Sequence, residues 1–210
     1  FNPTYMYKLV KIDLLDAFIY ADVFDDEKYT LIKEDEDLEK ILILAMEGFK
    51  IENSTFKNYN DWAEKAEDGG YEMEIFDSNY KSLFRGSMML LSQKVENALK
   101  LACNYHFGTK RKGDDKQYIL HILEISRLLY GHGGKEIDPD IITASLCHDL
   151  LEDTECPDSD IEKWCGKEVL EIVKAVSNDD SLVWEDKKSM YVETVKAGGE
   201  KAMIVCLADK

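Results

Sequence analysis

From Leu90 onward, apolar residues recur three and four positions apart, the period of helices that bury one face. The stretch LLSQKVENALKLACNYHF predicts a helix over 90–107, and the same pattern predicts helices over 118–130, 139–152, 159–176 and 185–196. A final apolar run, KAMIVCLADK, ends on charge. The front of the chain reads differently. YMYKLVKIDLLDAFIY, YTLI and YEMEIFD carry β-branched, aromatic and alternating positions that suit strands. The acidic turn DVFDDEK between the first two suggests a hairpin. EDEDLEKILILAMEGFKI opens with acids that suit a helix N-terminus, and NDWAEKAEDGG reads as a second helix stopped by paired glycines. The pattern breaks at LFRGSMM, around Gly86 and Ser87. The predicted architecture is mainly α: a helical bundle over about 90–210 behind a small N-terminal α+β domain, with the domains running 1–87 and 88–210.

Composition narrows the function. With 210 residues and 45% hydrophobic side chains the chain can build a real core. A formal net charge of −17 argues against a DNA-binding or membrane-surface protein, because phosphates would be repelled unless a local basic patch overrode the field. Residues 1–87 hold 10 basic and 20 acidic side chains, so the acid is concentrated at the front. The five cysteines are odd in number and irregularly spaced, without a C-x-x-C pair, which predicts reduced thiols and neither a zinc knuckle nor a disulfide framework. No apolar run is long enough for a membrane span and no signal-peptide layout is seen, so the expected location is the cytoplasm.

One segment resists the bundle pattern. In PDIITASLCHDLLEDT, Ile141, Ile142, Ala144, Leu146, Cys147, Leu150 and Leu151 mark a largely buried helix, yet His148, Asp149, Glu152 and Asp153 crowd one side, stacked in pairs four residues apart if the helix is continuous. A buried carboxylate without a partner costs several kcal/mol, so a positive group is expected there, and a divalent metal would answer the need. His121 sits among apolar neighbours in QYILHILEISRLL, and Asp209 closes the apolar run AMIVCLAD. Together His121, His148, Asp149 and Asp209 offer two nitrogen and two oxygen ligands, a set suited to manganese, iron, zinc or nickel with positions left for water. His106, before a glycine turn, and His132, in GHGG, read as structural.

The order His, then His-Asp, then Asp resembles the pattern of the HD phosphohydrolase superfamily. ALKLACNYHFGTKRKGDDKQYILHILEISRLL, IITASLCHDLLEDTE, IEKWCGKEVLEIVKAVSND and AMIVCLADK further resemble the hydrolase domain of the RelA/SpoT alarmone enzymes and their small stand-alone relatives, over about residues 90–210. The resemblance implies that His121, His148, Asp149 and Asp209 bind a metal, usually manganese. It implies that Glu152 and Asp153 serve the attacking water, and that Lys110, Arg111 and Lys112 hold phosphate, with Tyr118 and Lys188 at the pocket wall. The implied activity is removal of the 3′-pyrophosphate of a guanosine alarmone (ppGpp or pppGpp). Alternatives on the same scaffold are the 2′-phosphate of NADPH, pyrophosphorylated transfer RNA, or a catalytically silent nucleotide sensor. The complete ligand set argues against the sensor, and the absence of a synthetase half favours hydrolysis alone. The spacing from the basic run to His121 is one residue shorter than the family pattern. Family members also continue past ADK with an Asn and further helices, whereas this sequence ends at Lys210. Residues 1–87 carry no readable motif, and self-association or a protein partner is the expectation for them.

Overall fold

The computed structural model describes residues 7–13, 29–35, 38–52, 71–76, 82–85, 92–112, 116–133, 137–177 and 184–210. The helix read over NDWAEKAEDGG, the DVFDDEK turn and the break at Gly86–Ser87 lie outside the described residues. Contacts divide the chain into two units, Phe1–Leu91 and Ser92–Lys210.

The first unit holds a four-stranded antiparallel sheet in the order β2-β1-β3-β4, formed by β1 (Tyr7–Asp13), β2 (Tyr29–Asp35), β3 (Tyr71–Phe76) and β4 (Ser82–Arg85). β1 pairs with β2 from Tyr7↔Asp35 to Ile12↔Tyr29, with a bulge between Leu9 and Val10 that shifts the register by one. Helix α1 (Leu38–Glu52) packs on β1, β2 and β3. Leu38, Ile41, Leu42, Ala45 and Met46 are buried, a spacing of three and four that lines one face of the helix.

The second unit is helical: α2 (Gln93–Tyr105), α3 (Ile119–Gly133), α4 (Pro139–Cys147), α5 (Leu150–Asp153), α6 (Asp158–Cys165), α7 (Lys167–Val176), α8 (Trp184–Ala197) and α9 (Gly199–Asp209). The mainly helical reading therefore holds for the described residues. Ser92 caps α2, its hydroxyl oxygen accepting from the Val95 N–H. Asp138 caps α4 in the same way, and Pro139 follows at the first helical position, where its missing N–H costs nothing. Every residue from Ile141 to Cys147 is buried, because α2, α3, α7 and α9 all pack against α4. Its polar members are satisfied locally. Thr143 Oγ1 donates to the Pro139 carbonyl, Ser145 Oγ to that of Ile142, and the Ser126 and Ser145 hydroxyls meet at 3.1 Å. All five cysteines are free thiols.

Two predicted helices are each two. The expected helix over 139–152 ends at Cys147, and His148 and Asp149 form a turn before the short α5. Asp149 adopts φ −98°, ψ 0°, away from helical values. The Ser145 carbonyl, which in a continuous helix would serve the Asp149 N–H, accepts His148 Nδ1–H at 2.7 Å. The expected helix over 159–176 is interrupted at Gly166, whose φ of +96° and ψ of 162° are open to glycine almost alone. His132, expected in a loop, lies in the last turn of α3, exposed, with Nδ1–H donating to the Leu128 carbonyl. Among the described residues no helix is long and apolar enough to cross a membrane.

Candidate active site

The turn after α4 is what delivers the chemistry. α4 is buried on all sides, so its C-terminal end opens at the middle of the bundle, and there the chain presents His148 and Asp149 side by side. α3 brings His121 from its first turn and α9 brings Asp209 from its last.

The four side chains converge. His148 Nε2 lies 3.0 Å from Asp149 Oδ2 and 3.6 Å from Asp209 Oδ1. His121 Nε2 lies 3.2 Å from Asp209 Oδ1 and 3.8 Å from Asp149 Oδ2. Metal–ligand bonds of about 2.1 Å set neighbouring donor atoms roughly 3–4 Å apart, so these spacings fit the first shell of a single divalent ion. His121, His148 and Asp149 can each bring a donor atom into one mutually close group, and Asp209 Oδ1 approaches both imidazoles.

The orientation of His148 adds to the fit. A carbonyl oxygen can only accept, so the contact with Ser145 places a proton on Nδ1 and turns the Nε2 lone pair inward. That Nε2 is buried and has no hydrogen-bond partner. A ring nitrogen this close to carboxylate oxygens needs a positive charge between them, either its own proton or a metal ion that takes the proton's place.

The electrostatics agree. Burial opposes a charge on His148, yet the neighbouring Asp149 and Asp209 carboxylates outweigh it and raise its pKa to about 10. The two imidazoles, His121 first, hold Asp209 far below the usual carboxylate range. Burial pushes Asp149 upward, but His148 and Tyr118 together bring it below its ordinary value. A potential that retains a proton so firmly would favour a divalent cation in its place.

Around this group stand the other candidates. Tyr118 immediately precedes α3, and its hydroxyl lies 2.6 Å from Asp149 Oδ2 and 2.6 Å from Asp153 Oδ2. Burial and both carboxylates push its pKa upward, so it stays a donor. Asp153 is exposed and Glu152 half-buried, and both line a cavity of about 430 Å³ with Asn104, Tyr105, Thr154 and Glu155. Because Asp149 is in a turn, Glu152 and Asp153 are positioned by α5 and not by stacking along one continuous helix. Lys110, Arg111 and Lys112 are all exposed, on a loop pinned at its base by a Lys110–Gln117 bridge and by the Tyr118 N–H donating to the Thr109 carbonyl. Among the described residues, none of the three makes an ion pair with the carboxylates of the site. Lys188 lies on α8, and its side chain is outside the described residues.

Two neighbours escaped the sequence reading. Lys210 Nζ donates to Asp209 Oδ2 at 2.7 Å. His106, read as structural, is fully buried and stacks on Tyr118 with ring centroids 4.7 Å apart and planes 15° from parallel. The 11 residues between them form the basic loop, and no local period connects its two ends.

Residues 98–208 match the family model described as HD domain. Relatives include the guanosine-3′,5′-bis(diphosphate) 3′-pyrophosphohydrolase MESH1 of Xenopus tropicalis, 35% identical over 117 residues, 55% of this chain and 65% of that protein. The Drosophila melanogaster MESH1 is 30% identical, covering 57% of this chain and 66% of the relative. The bifunctional (p)ppGpp synthase/hydrolase SpoT of Escherichia coli is 31% identical over 50% of this chain and 14% of its own length. A solved structure, described as a metazoan ortholog of SpoT that hydrolyzes ppGpp, aligns with a TM-score of 0.50 at 28% identity, covering 56% of this chain and 66% of that one. The chain thus spans just under two thirds of the MESH1 relatives it matches.

Proposed function

The chain belongs to the HD-domain family, and from that premise we propose that it is a metal-dependent phosphohydrolase that removes the 3′-pyrophosphate of a guanosine alarmone. The observation that carries the reading is the convergence of His121, His148, Asp149 and Asp209, with His148 Nε2 buried and without a hydrogen-bond partner beside two carboxylates. The similarity to MESH1 and SpoT supports the choice of substrate.

His121, His148, Asp149 and Asp209 would hold the ion, which we take to be manganese. Such an ion supplies Lewis acidity, making a water more acidic and drawing charge from the phosphoryl oxygens. The protein's own part is positional. Ser145 fixes the tautomer of His148, and Tyr118 steadies Asp149. Asp153 and Glu152, on the short helix that follows the His148–Asp149 turn, orient the attacking water and accept its proton. As the water oxygen bonds to phosphorus, the bond from phosphorus to the ribose 3′ oxygen breaks, and that oxygen keeps the bonding pair and takes up a proton, from solvent or from the carboxyl group that received the water's proton. Lys110, Arg111 and Lys112 attract the pyrophosphate against the net negative charge of the chain, and Tyr118 and Lys188 flank the nucleotide. The proposed setting is cytoplasmic, with residues 1–87 available for self-association or a protein partner.

The test is product release from ppGpp in manganese, comparing the protein with Asp149→Ala. Pyrophosphate that appears with the former and not the latter supports the reading. Release from NADPH or pyrophosphorylated transfer RNA alone would reassign the substrate. Full manganese occupancy with no turnover of any of these would favour a sensor.

A further inference from the structure

We propose that His106 is a positioning residue, a buried platform that stacks on Tyr118 and holds the phenol hydroxyl between Asp149 and Asp153. The proposal rests on the metal-site reading above, and its test reads metal affinity as well as turnover.

His106 is 0% exposed, and among the described residues neither ring nitrogen has a hydrogen-bond partner. Burying a polar ring in that way is unfavourable, and pure packing would be served better by an apolar side chain. Burial pushes its pKa down, so the ring is the flat, neutral imidazole that stacks on a phenol without bringing a charge beside the two histidines. The geometry is a parallel stack at 4.7 Å. Tyr118 also meets His121, edge-on, with ring centroids 5.9 Å apart. Tyr118 therefore packs against two imidazoles, one of them a candidate ligand.

The consequence is directional. With its ring clamped, Tyr118 can aim its hydroxyl at only one place, and at that place both Asp149 Oδ2 and Asp153 Oδ2 lie 2.6 Å away. One oxygen atom thus links a candidate metal ligand to the carboxylate proposed to serve the water. The backbone reinforces the stack. Thr109 N–H donates to the His106 carbonyl and Tyr118 N–H to the Thr109 carbonyl, so both ends of the basic loop are tied at the level of the two rings. Losing His106 would release the phenol and loosen the base of the loop that carries Lys110, Arg111 and Lys112.

The experiment is a double-mutant cycle on manganese affinity, measured by calorimetry on the whole chain, with His106→Ala, Tyr118→Phe and the pair. Partners that orient a ligand typically affect metal affinity or activity by about 10–100-fold, so each single variant is expected to weaken manganese binding by about tenfold. The pair should be no weaker than the worse single variant, because both changes remove one interaction. His106→Phe, which retains a ring in the stack, should recover most of the loss. Circular dichroism and thermal melts keep unfolded variants out of the comparison. Multiplicative losses in the pair, or unchanged affinity in His106→Ala beside a weakened Tyr118→Phe, would overturn the proposal. Coupling that persists in a protein inactive on every nucleotide tested would sink the proposed substrate and leave the positioning role standing.

Discussion

His148 Nδ1 lies 2.7 Å from the carbonyl oxygen of Ser145, three residues earlier in the chain. This one bond does two things. It uses a helix carbonyl to end α4 in a turn, and it aims Nε2 at Asp149 and Asp209. The end of the buried helix and the start of the chemistry are the same event.

The aim of Nε2 predicts what happens when an oxygen ligand is lost. Asp149→Ala should lower manganese occupancy, and turnover with it by about a thousandfold, since removing a ligand forfeits several kcal/mol and each 1.4 kcal/mol is tenfold. Elemental analysis of protein dialysed at fixed manganese reads occupancy separately from rate.

Glu152 and Asp153 should behave differently. Placed beside the cluster on α5, they are not needed to hold the ion. Glu152→Gln and Asp153→Asn are expected to lower kcat by about 10²–10⁴-fold, the usual weight of general acid–base groups, with metal content preserved. Single-turnover rates at saturating manganese would check it, and a loss confined to metal binding would contradict it.

Metal-free protein should show a definite dependence of stability on pH. The His148 pKa is raised from 6.5 to about 10, so its contribution is fully present below pH 6.5 and is lost as the pH climbs toward 10. Asp209 is lowered from 3.8, so its contribution is present above that value and is lost on further acidification. Melting temperatures in chelator should therefore decline from pH 6.5 to 10 in the native sequence, with a shallower slope in His148→Gln.

Gly166 is the clearest backbone position to test. Its φ of +96° with ψ of 162° is strained for any residue with a Cβ, and a Cβ there would meet Lys94 Nζ at 3.4 Å. Gly166→Ala should cost about 1–3 kcal/mol of stability, read from the urea midpoint, with the site chemistry intact.

Much of the helical unit was legible from local pattern. The three-and-four spacing of Val95, Ala98, Leu99 and Ala102 announces α2, and the run from Ile141 to Cys147, free of charged residues, announces a helix covered on every side. The helix breaks were harder. A glycine inside a periodic run is tolerated in many helices, and only the positive φ at Gly166 makes it a joint. At His148 and Asp149 the periodicity runs straight through a turn, because the break comes from a side chain competing for a carbonyl, which apolar spacing does not register.

The amino-acid sequence by itself determined which residues were chemically out of place: imidazoles and carboxylates embedded in apolar helices, where burial is costly unless something compensates it. It also carried the resemblance that points to an HD-domain protein. Tertiary structure alone decided which of those groups meet. His121 and Asp209 come from two different helices and His148 and Asp149 from the turn after a third, and Tyr118 reaches Asp149 across 31 positions of chain. His106 shows the limit most plainly. Read along the chain it is one polar residue before a glycine turn, and its part in the site exists only because the loop folds back and lays its ring on that of Tyr118. Local periodicity reports which face of an element is buried, whereas contacts between elements depend on how those faces pack.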